Sequence, residues 1–310
     1  MAKSEARYRE AERLLWESVG VTPTEKRVRL GHSGVVVRIQ EVGEGPAILF
    51  VHGVTNSGSS WAPLVARLEG FRCVILDRPG CGLSDPLATR FDNVEKLATF
   101  ADTLLVDVLD AMGLDYAHLV ATSFGGYFAL RTAAAHPDRI DRVVEFGWMV
   151  GAPIARVPLL MRLANVRGVG SLLTAVPPNE RAVRAMFRQI GLRDALKAGR
   201  VSQETLGCYL ALLRDTSTMR NELKTGPRYI YPIRGMDDRI LLNAALLTTI
   251  RAPVYFLWGE QDPFGSADIA RGFVKQVPNA ELELLPGAGH AVWIDDPDYS
   301  ASITRRFLGR

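Results

Sequence analysis

Cysteine is scarce: Cys73, Cys81 and Cys208 are the three in 310 residues. An odd, small number without C-x-x-C spacing excludes a disulfide framework and offers no thiolate metal site. Cys73 sits in an apolar run and reads as a small buried hydrophobe. No apolar stretch approaches the roughly 18 residues of a membrane span. Charge of one sign is also lacking. Lys and Arg number 37 against 34 Asp and Glu, which excludes the basic excess expected of a nucleic-acid binder. Internal repeats and low-complexity tracts are absent. The opening MAKSEARYREAERLLWESVG has no apolar h-region, so no secretory signal is expected and a reducing, cytoplasmic location follows as the default. The 47% hydrophobic share is that of an ordinary globular chain. The length suffices to bury a large core without staples.

Tyr8, Ala11, Leu14 and Leu15 recur at helical spacing and predict an amphipathic helix lying on the body of the protein. Strand-like runs follow at Lys26–Leu30 and Val35–Val42, and then short, more apolar ones at Ala47–Val51, Phe71–Leu76, His118–Ala121 and Arg142–Phe146. Helical patterns at Asn93–Met112 and Gly125–His136 separate the later ones. Strands this apolar have no solvent face, which places them in a mostly parallel sheet covered by helices on both sides. The alternation stops near Trp148. It resumes with a strand at Val254–Trp258, a helix near Ala267–Gln276, a strand at Glu281–Leu285 and a helix at Tyr299–Phe307. We therefore read an α/β core at 1–148 and 249–310, the N-terminal helix included, interrupted by a helical insertion at 149–248.

Ligands of open α/β sheets bind at the carboxyl ends of the strands. His52-Gly53-Val54, Asp77, Ser123, Asp262 and His290 all fall there. Ser123 lies in Ala121-Thr122-Ser123-Phe124-Gly125, a G-x-S-x-G elbow with Ala for the first Gly. By itself it reads as a nucleophile or as the N-cap of an ordinary helix. Asp262, in WGEQDPF, can orient an imidazole or simply make the turn before Pro263. Glu260 is the reserve acid. His290, in the Gly-rich LPGAGHAVW, sits on a loop free of core packing, and its pKa class suits proton transfer.

The chain order Ser…Asp…His after successive strands is that of an α/β-hydrolase, and the sequence resembles that superfamily from about Lys26 to Phe307. FVHGVTNSGSSW resembles its His-Gly oxyanion-hole loop, and DRPGCGLSDP its D-x-P-G-x-G-x-S-D turn. The resemblance implies Ser123, Asp262 and His290 as the catalytic set, with the backbone N–H groups of Val54 and Phe124 as the oxyanion hole. It also implies His52 as a brace and Asp77, Gly80, Gly82 and Ser84 as scaffold. A Ser nucleophile suits attack on a carbonyl through an acyl-enzyme, with no cofactor and no metal required.

In this family the insertion acts as a cap over the site. Residues 151–250 hold 15 Arg or Lys against 7 Asp or Glu. Arg184, Arg188 and Arg214 are candidates to hold a substrate carboxylate; a solvated Arg-rich surface is the plainer reading. Leu159, Leu160, Met161, Met186, Phe187, Tyr209, Leu210, Leu212, Leu213 and Met219 are expected to roof the pocket and pack the cap on the core. Thr55, Trp148, Phe187, Arg188 and Val292 are placed against the substrate. Carbon–carbon bond hydrolases of dienoate acids usually carry Trp after the catalytic His, whereas Ala291 stands here. The expectation is therefore a carboxylesterase-like serine hydrolase acting on a small-molecule ester. A carbon–carbon bond hydrolase is the alternative. A ligand-binding sensor with little turnover is the alternative of another class. Perhydrolysis is a further side activity, disfavoured by the insertion. The expected partners are a small-molecule substrate, no nucleic acid and no membrane, in a monomer or homodimer.

Overall fold

A computed structural model of the protein describes residues 2–88, 90–155, 157, 177–225, 230–231 and 235–309. Its main sheet has eight strands: β1 (Thr24–Arg29), β2 (Val36–Val42), β3 (Ala47–Val51), β4 (Arg72–Leu76), β5 (Ala117–Ser123), β6 (Ile140–Met149), β9 (Val254–Gly259) and β10 (Ala280–Leu285). The spatial order is β1-β2-β4-β3-β5-β6-β9-β10. β2 pairs antiparallel with both β1 and β4; from β4 to β10 every pairing is parallel. A minor antiparallel pair joins β7 (Ile230–Tyr231) to β8 (Gly235–Met236). The apolar runs read from the sequence match the strands to within a few residues.

The helices are α1 (Ala2–Ser18), α2 (Ala62–Val65), α3 (Val94–Ala111), α4 (Phe124–Ala135), α5 (Glu180–Gln189), α6 (Arg193–Lys197), α7 (Gln203–Asp215), α8 (Thr218–Thr225), α9 (Ala244–Leu247), α10 (Ala267–Val274), α11 (Val292–Asp295) and α12 (Pro297–Leu308). Alternate side chains of each strand feed opposite faces of the sheet. Leu49 and Val51 of β3 join a core with α3, α4 and α10, whereas Ile48 and Phe50 join a second core with α1, α2 and α12. Every residue of β5 and β9 is buried, as a sheet covered on both sides requires.

Of the described helices of the insertion, α5 and α7 dock on the second core through Val183, Phe187, Leu206 and Leu212. Leu159, Leu160 and Met161 lie outside the described residues. Ile240, Leu242 and Leu247, late in the span read as insertion, pack with the first core.

α1 lies on the body as its spacing predicts, with one correction. Tyr8, Leu15 and Trp16 are buried, but Leu14 is 44% exposed. At 100° per residue the buried stripe runs Tyr8, Glu12, Leu15, and Leu14 falls beside it. The helix is tied down by charge as well. Buried Arg38 pairs with Glu12 of α1, with Glu25 at 2.8 Å and with Asp77 at 3.2 Å, and Arg7 pairs with Asp215 at the end of α7.

This packing separates two neighbouring leucines. Leu15→Ala should cost roughly 2–4 kcal/mol, the usual range for emptying a packed site. Leu14→Ala should stay within about 0.5 kcal/mol, as surface changes do. Urea unfolding measures both, and equal costs would mean that α1 is not docked in this register.

Candidate active site

The chain passes from β3 outward to β4 and then returns to β5 on the other side of β3. Such a reversal opens a crevice beyond the carboxyl ends of the two diverging strands. The loop after β3 carries His52, Gly53 and Val54, and β5 ends on Ser123.

Ser123 adopts φ 56° and ψ −119°, a region that side chains rarely enter. The sharp turn needs close backbone approach behind it. A Cβ at Gly125 would lie 2.0 Å from the Val51 carbonyl oxygen, so glycine is required there. A Cβ at Gly53 would lie 2.8 Å from that of Ser123, which sets the serine against the loop after β3. Phe124 opens α4, and the amides of a first helical turn have no intrahelical acceptor.

His290 and Asp262 come together. His290 Nδ1 lies 2.8 Å from Asp262 Oδ2. That oxygen also accepts the Trp148 N–H at 2.7 Å, and Oδ1 accepts the Phe264 N–H at 3.0 Å. Both side chains are buried. A carboxylate bonded in this way orients the imidazole and leaves Nε2 for the substrate side. The Phe264 ring meets the His290 ring edge-on at 4.7 Å between centroids. Glu260, the reserve acid, is exposed, because it lies just past the end of β9 on the outer side of the turn.

The end of β6 links the two groups. The Val150 N–H donates to the Ser123 carbonyl at 3.1 Å, while Trp148, two residues earlier, donates to Asp262. Ser123 is 7% exposed, and among the described residues its hydroxyl makes no hydrogen bond. In enzymes without substrate such contacts are often long and tighten on binding.

His52 has both ring nitrogens engaged. Nδ1 lies 2.8 Å from the Gly53 carbonyl, and Nε2 accepts the Arg78 N–H at 3.0 Å. Burial, then the Arg78 charge, push its pKa well below the ordinary histidine value. It is therefore a neutral brace. Asp77 accepts the Gly58 N–H at 2.7 Å and the Leu83 N–H at 3.0 Å, which fixes the DRPGCG turn.

The residues placed against the substrate separate into groups. Trp148 is beside His290, with ring centroids 6.4 Å apart. Thr55 is beside Val54, but its N–H and hydroxyl are occupied by Glu222. Phe187 and Val292 are buried in the second core, Phe187 edge-on to Tyr209 at 5.1 Å. Arg188 is a correction: it is exposed, on the solvent side of the amphipathic α5. Arg184 is bound to Glu180 at 2.8 Å, and Arg214 is 44% exposed beside Asp215. None of the three is buried.

Sequence reasoning missed several groups. Buried Arg78 holds its guanidinium 5.1 Å over the ring of Phe124, the residue after Ser123. Glu145 of β6 is fully buried beneath α4, where a Cβ at Gly126 would lie 2.3 Å from its Oε1. Burial pushes its carboxyl well above the usual carboxylate range. The inserted helices also touch the histidine loop. The His290 N–H donates to the Ile190 carbonyl at 2.8 Å, and Gly191, at φ 91°, packs so closely that a Cβ would lie 2.8 Å from the Gly289 Cα.

The alpha/beta hydrolase family model matches residues 48–302. The chain belongs to the alpha/beta hydrolase family. It is 26% identical over 281 residues to the 2-hydroxy-6-oxononadienedioate/2-hydroxy-6-oxononatrienedioate hydrolase 1 of Dechloromonas aromatica, covering 86% of this chain and 89% of that one. It is 26% identical to the 2-hydroxy-6-oxo-6-phenylhexa-2,4-dienoate hydrolase of Burkholderia cepacia, over 90% of this chain and 93% of the relative. Among solved structures, carboxylesterase CesB from Bacillus subtilis superposes with a TM-score of 0.75 at 19% identity, over 99% of this chain and 98% of that one. Across most of its length this hydrolase is thus similar in sequence to proteins named as dienoate and dienedioate hydrolases and in fold to one named as a carboxylesterase.

Asp295 sits behind the histidine loop and accepts the Gly289 N–H at 2.7 Å. Burial pushes its pKa up to about 6, against the pull of that bond. The unfolded value is about 3.9, so the folded state holds more protons between the two. Stability from this group is present below about pH 4 and lost as pH rises through about 6. Asp295→Asn should therefore raise stability by roughly 3 kcal/mol near pH 8, with the gain vanishing toward pH 4. Thermal melts at both pH values check this, and a gain independent of pH would contradict it.

Proposed function

We propose that the protein is a serine hydrolase acting on a small carbonyl compound, and that the bond it cleaves is a carbon–carbon bond next to a ketone. The observation that carries the reaction type is the Asp262–His290 hydrogen bond reached from the elbow of Ser123 through the end of β6. Ser123 Oγ attacks the carbonyl carbon as His290 Nε2 takes its proton. Asp262 holds the imidazole in the required tautomer. The Val54 and Phe124 N–H groups face the developing oxyanion, each supplying about 3 kcal/mol. With the dienol substrate first ketonised, its hydroxyl proton moved to the carbon next to the ketone, the bond to that carbon breaks, its electron pair delocalises into the enone so formed, and His290 returns the proton. Water completes the cycle by hydrolysing the acyl-enzyme.

Support for the bond class comes from the relatives at 26% identity, which carry the names of dienoate hydrolases. They favour this reading over the ester reading drawn from Ala291. Ester hydrolysis is the second reading. It is supported by Ala291, at the position where carbon–carbon bond hydrolases of dienoate acids usually carry Trp.

A direct competition decides between them. The protein should turn over 2-hydroxy-6-oxo-6-phenylhexa-2,4-dienoate with kcat/KM at least about tenfold above that for p-nitrophenyl butyrate, the gap of about 1.4 kcal/mol that separates a preferred substrate from a tolerated one. Ser123→Ala should lose at least about a thousandfold on whichever is preferred. The reverse preference would establish the esterase, and full activity in Ser123→Ala would remove the serine mechanism.

A further inference from the structure

Among the described residues, two non-glycine residues have positive φ: Ser123 at 56° and Thr55 at 51°. A β-branched residue in that region is strained and persists only where its surroundings hold it. For Ser123 the hold is the strand–helix junction itself. For Thr55 it comes from the insertion, 167 residues away in the chain. Glu222 of α8 accepts the Thr55 N–H and, at 3.3 Å, the Thr55 hydroxyl, both on Oε2.

The other oxygen of Glu222 accepts from Arg78 at 2.5 Å. Arg78 in turn grips the backbone on the far side of Val54. Its Nε donates to the His52 carbonyl at 2.9 Å and its Nη2 to the Gly53 carbonyl at 2.7 Å. The Gly53–Val54–Thr55 segment is thus held at both ends by one partly buried ion pair. Charge-assisted bonds in such a setting are short and directional.

α8 presents a complementary face. Thr218, Asn221 and Glu222 stand at i, i+3 and i+4, the spacing that puts side chains on one side of a helix. Thr218 Oγ1 accepts the Gly82 N–H at 3.0 Å, and Asn221 Nδ2 donates to the Gly80 carbonyl at 2.9 Å. The helix therefore docks on the DRPGCG turn and the loop after β3 together.

We infer that Glu222 is a positioning residue: through Thr55 and Arg78 it sets the direction of the Val54 N–H, so that the oxyanion site is complete only when the inserted helices are docked. The inference rests on the serine hydrolase reading. It adds to that reading a reason for Thr55 to accept its strained backbone.

The test uses the full chain, a fluorophosphonate probe that labels an activated serine, and amide exchange over residues 51–57. Labelling of wild type at Ser123, absent in Ser123→Ala, checks the serine reading separately. Glu222→Ala should speed exchange of the Thr55 amide. It should also lower the maximal labelling rate at least about tenfold, with the probe's half-saturating concentration changed less than about threefold, because an oxyanion donor acts in the transition state. Glu222→Gln keeps an acceptor for the Thr55 N–H and should recover part of that loss; it also carries the test if the Ala variant fails to fold. Unchanged exchange, faster exchange with an unchanged labelling rate, or a change confined to half-saturation would each overturn the inference.

Discussion

A serine held with its backbone in the left-handed region is the constraint around which the molecule is arranged. Ser123 can occupy φ 56° only because β5 is buried on both faces and α4 begins at once behind it. Strain of this kind costs about 1–3 kcal/mol and must be offset elsewhere. The offset is the packed sheet. Two apolar cores, one on each side of β3, β5 and β6, fix the strand ends. Once they are fixed, the loops beyond them have little freedom, and Asp262 and His290 meet at hydrogen-bond distance.

The inserted helices share in that arrangement. They touch the histidine loop through Ile190 and Gly191, and the loop after β3 through Glu222. α1 supports them from outside, through Arg7 on Asp215. On the proposed reading, the cap contributes to catalysis through the backbone it holds as well as through the pocket it covers. Arg188 is solvated: amphipathic α5 turns Val183 and Phe187 inward and leaves Arg188 outside.

The legibility of this structure in the sequence follows the range of the interactions. Strands such as Ala47–Val51 were readable because a doubly covered strand has to be apolar along its whole length. The order of Ser123, Asp262 and His290 was readable because each follows a strand, and strand ends are where an α/β sheet carries its chemistry. Of the two acids on that turn, it is Asp262 that lies at hydrogen-bond distance from His290, while Glu260 is exposed. Leu14 was misplaced because adjacent apolar residues cannot be assigned to one helical face by spacing alone. Arg78 and Glu222 were not legible at all. They are 144 positions apart, and nothing in either local pattern announces the other. The substrate-facing role expected of Arg188 failed for the same reason: a cation's direction depends on which helix face the tertiary packing selects.

The central claim is that these remote groups form one catalytic centre on Ser123. A crystal structure of the protein after reaction with a phosphonate inhibitor tests it most directly. The account requires the phosphorus on Ser123 Oγ, one phosphonate oxygen about 3 Å from both the Val54 and Phe124 nitrogens, and His290 Nε2 within hydrogen-bond reach. Phosphorus attached to a different residue, or an oxygen turned to solvent with both amides engaged elsewhere, would contradict it.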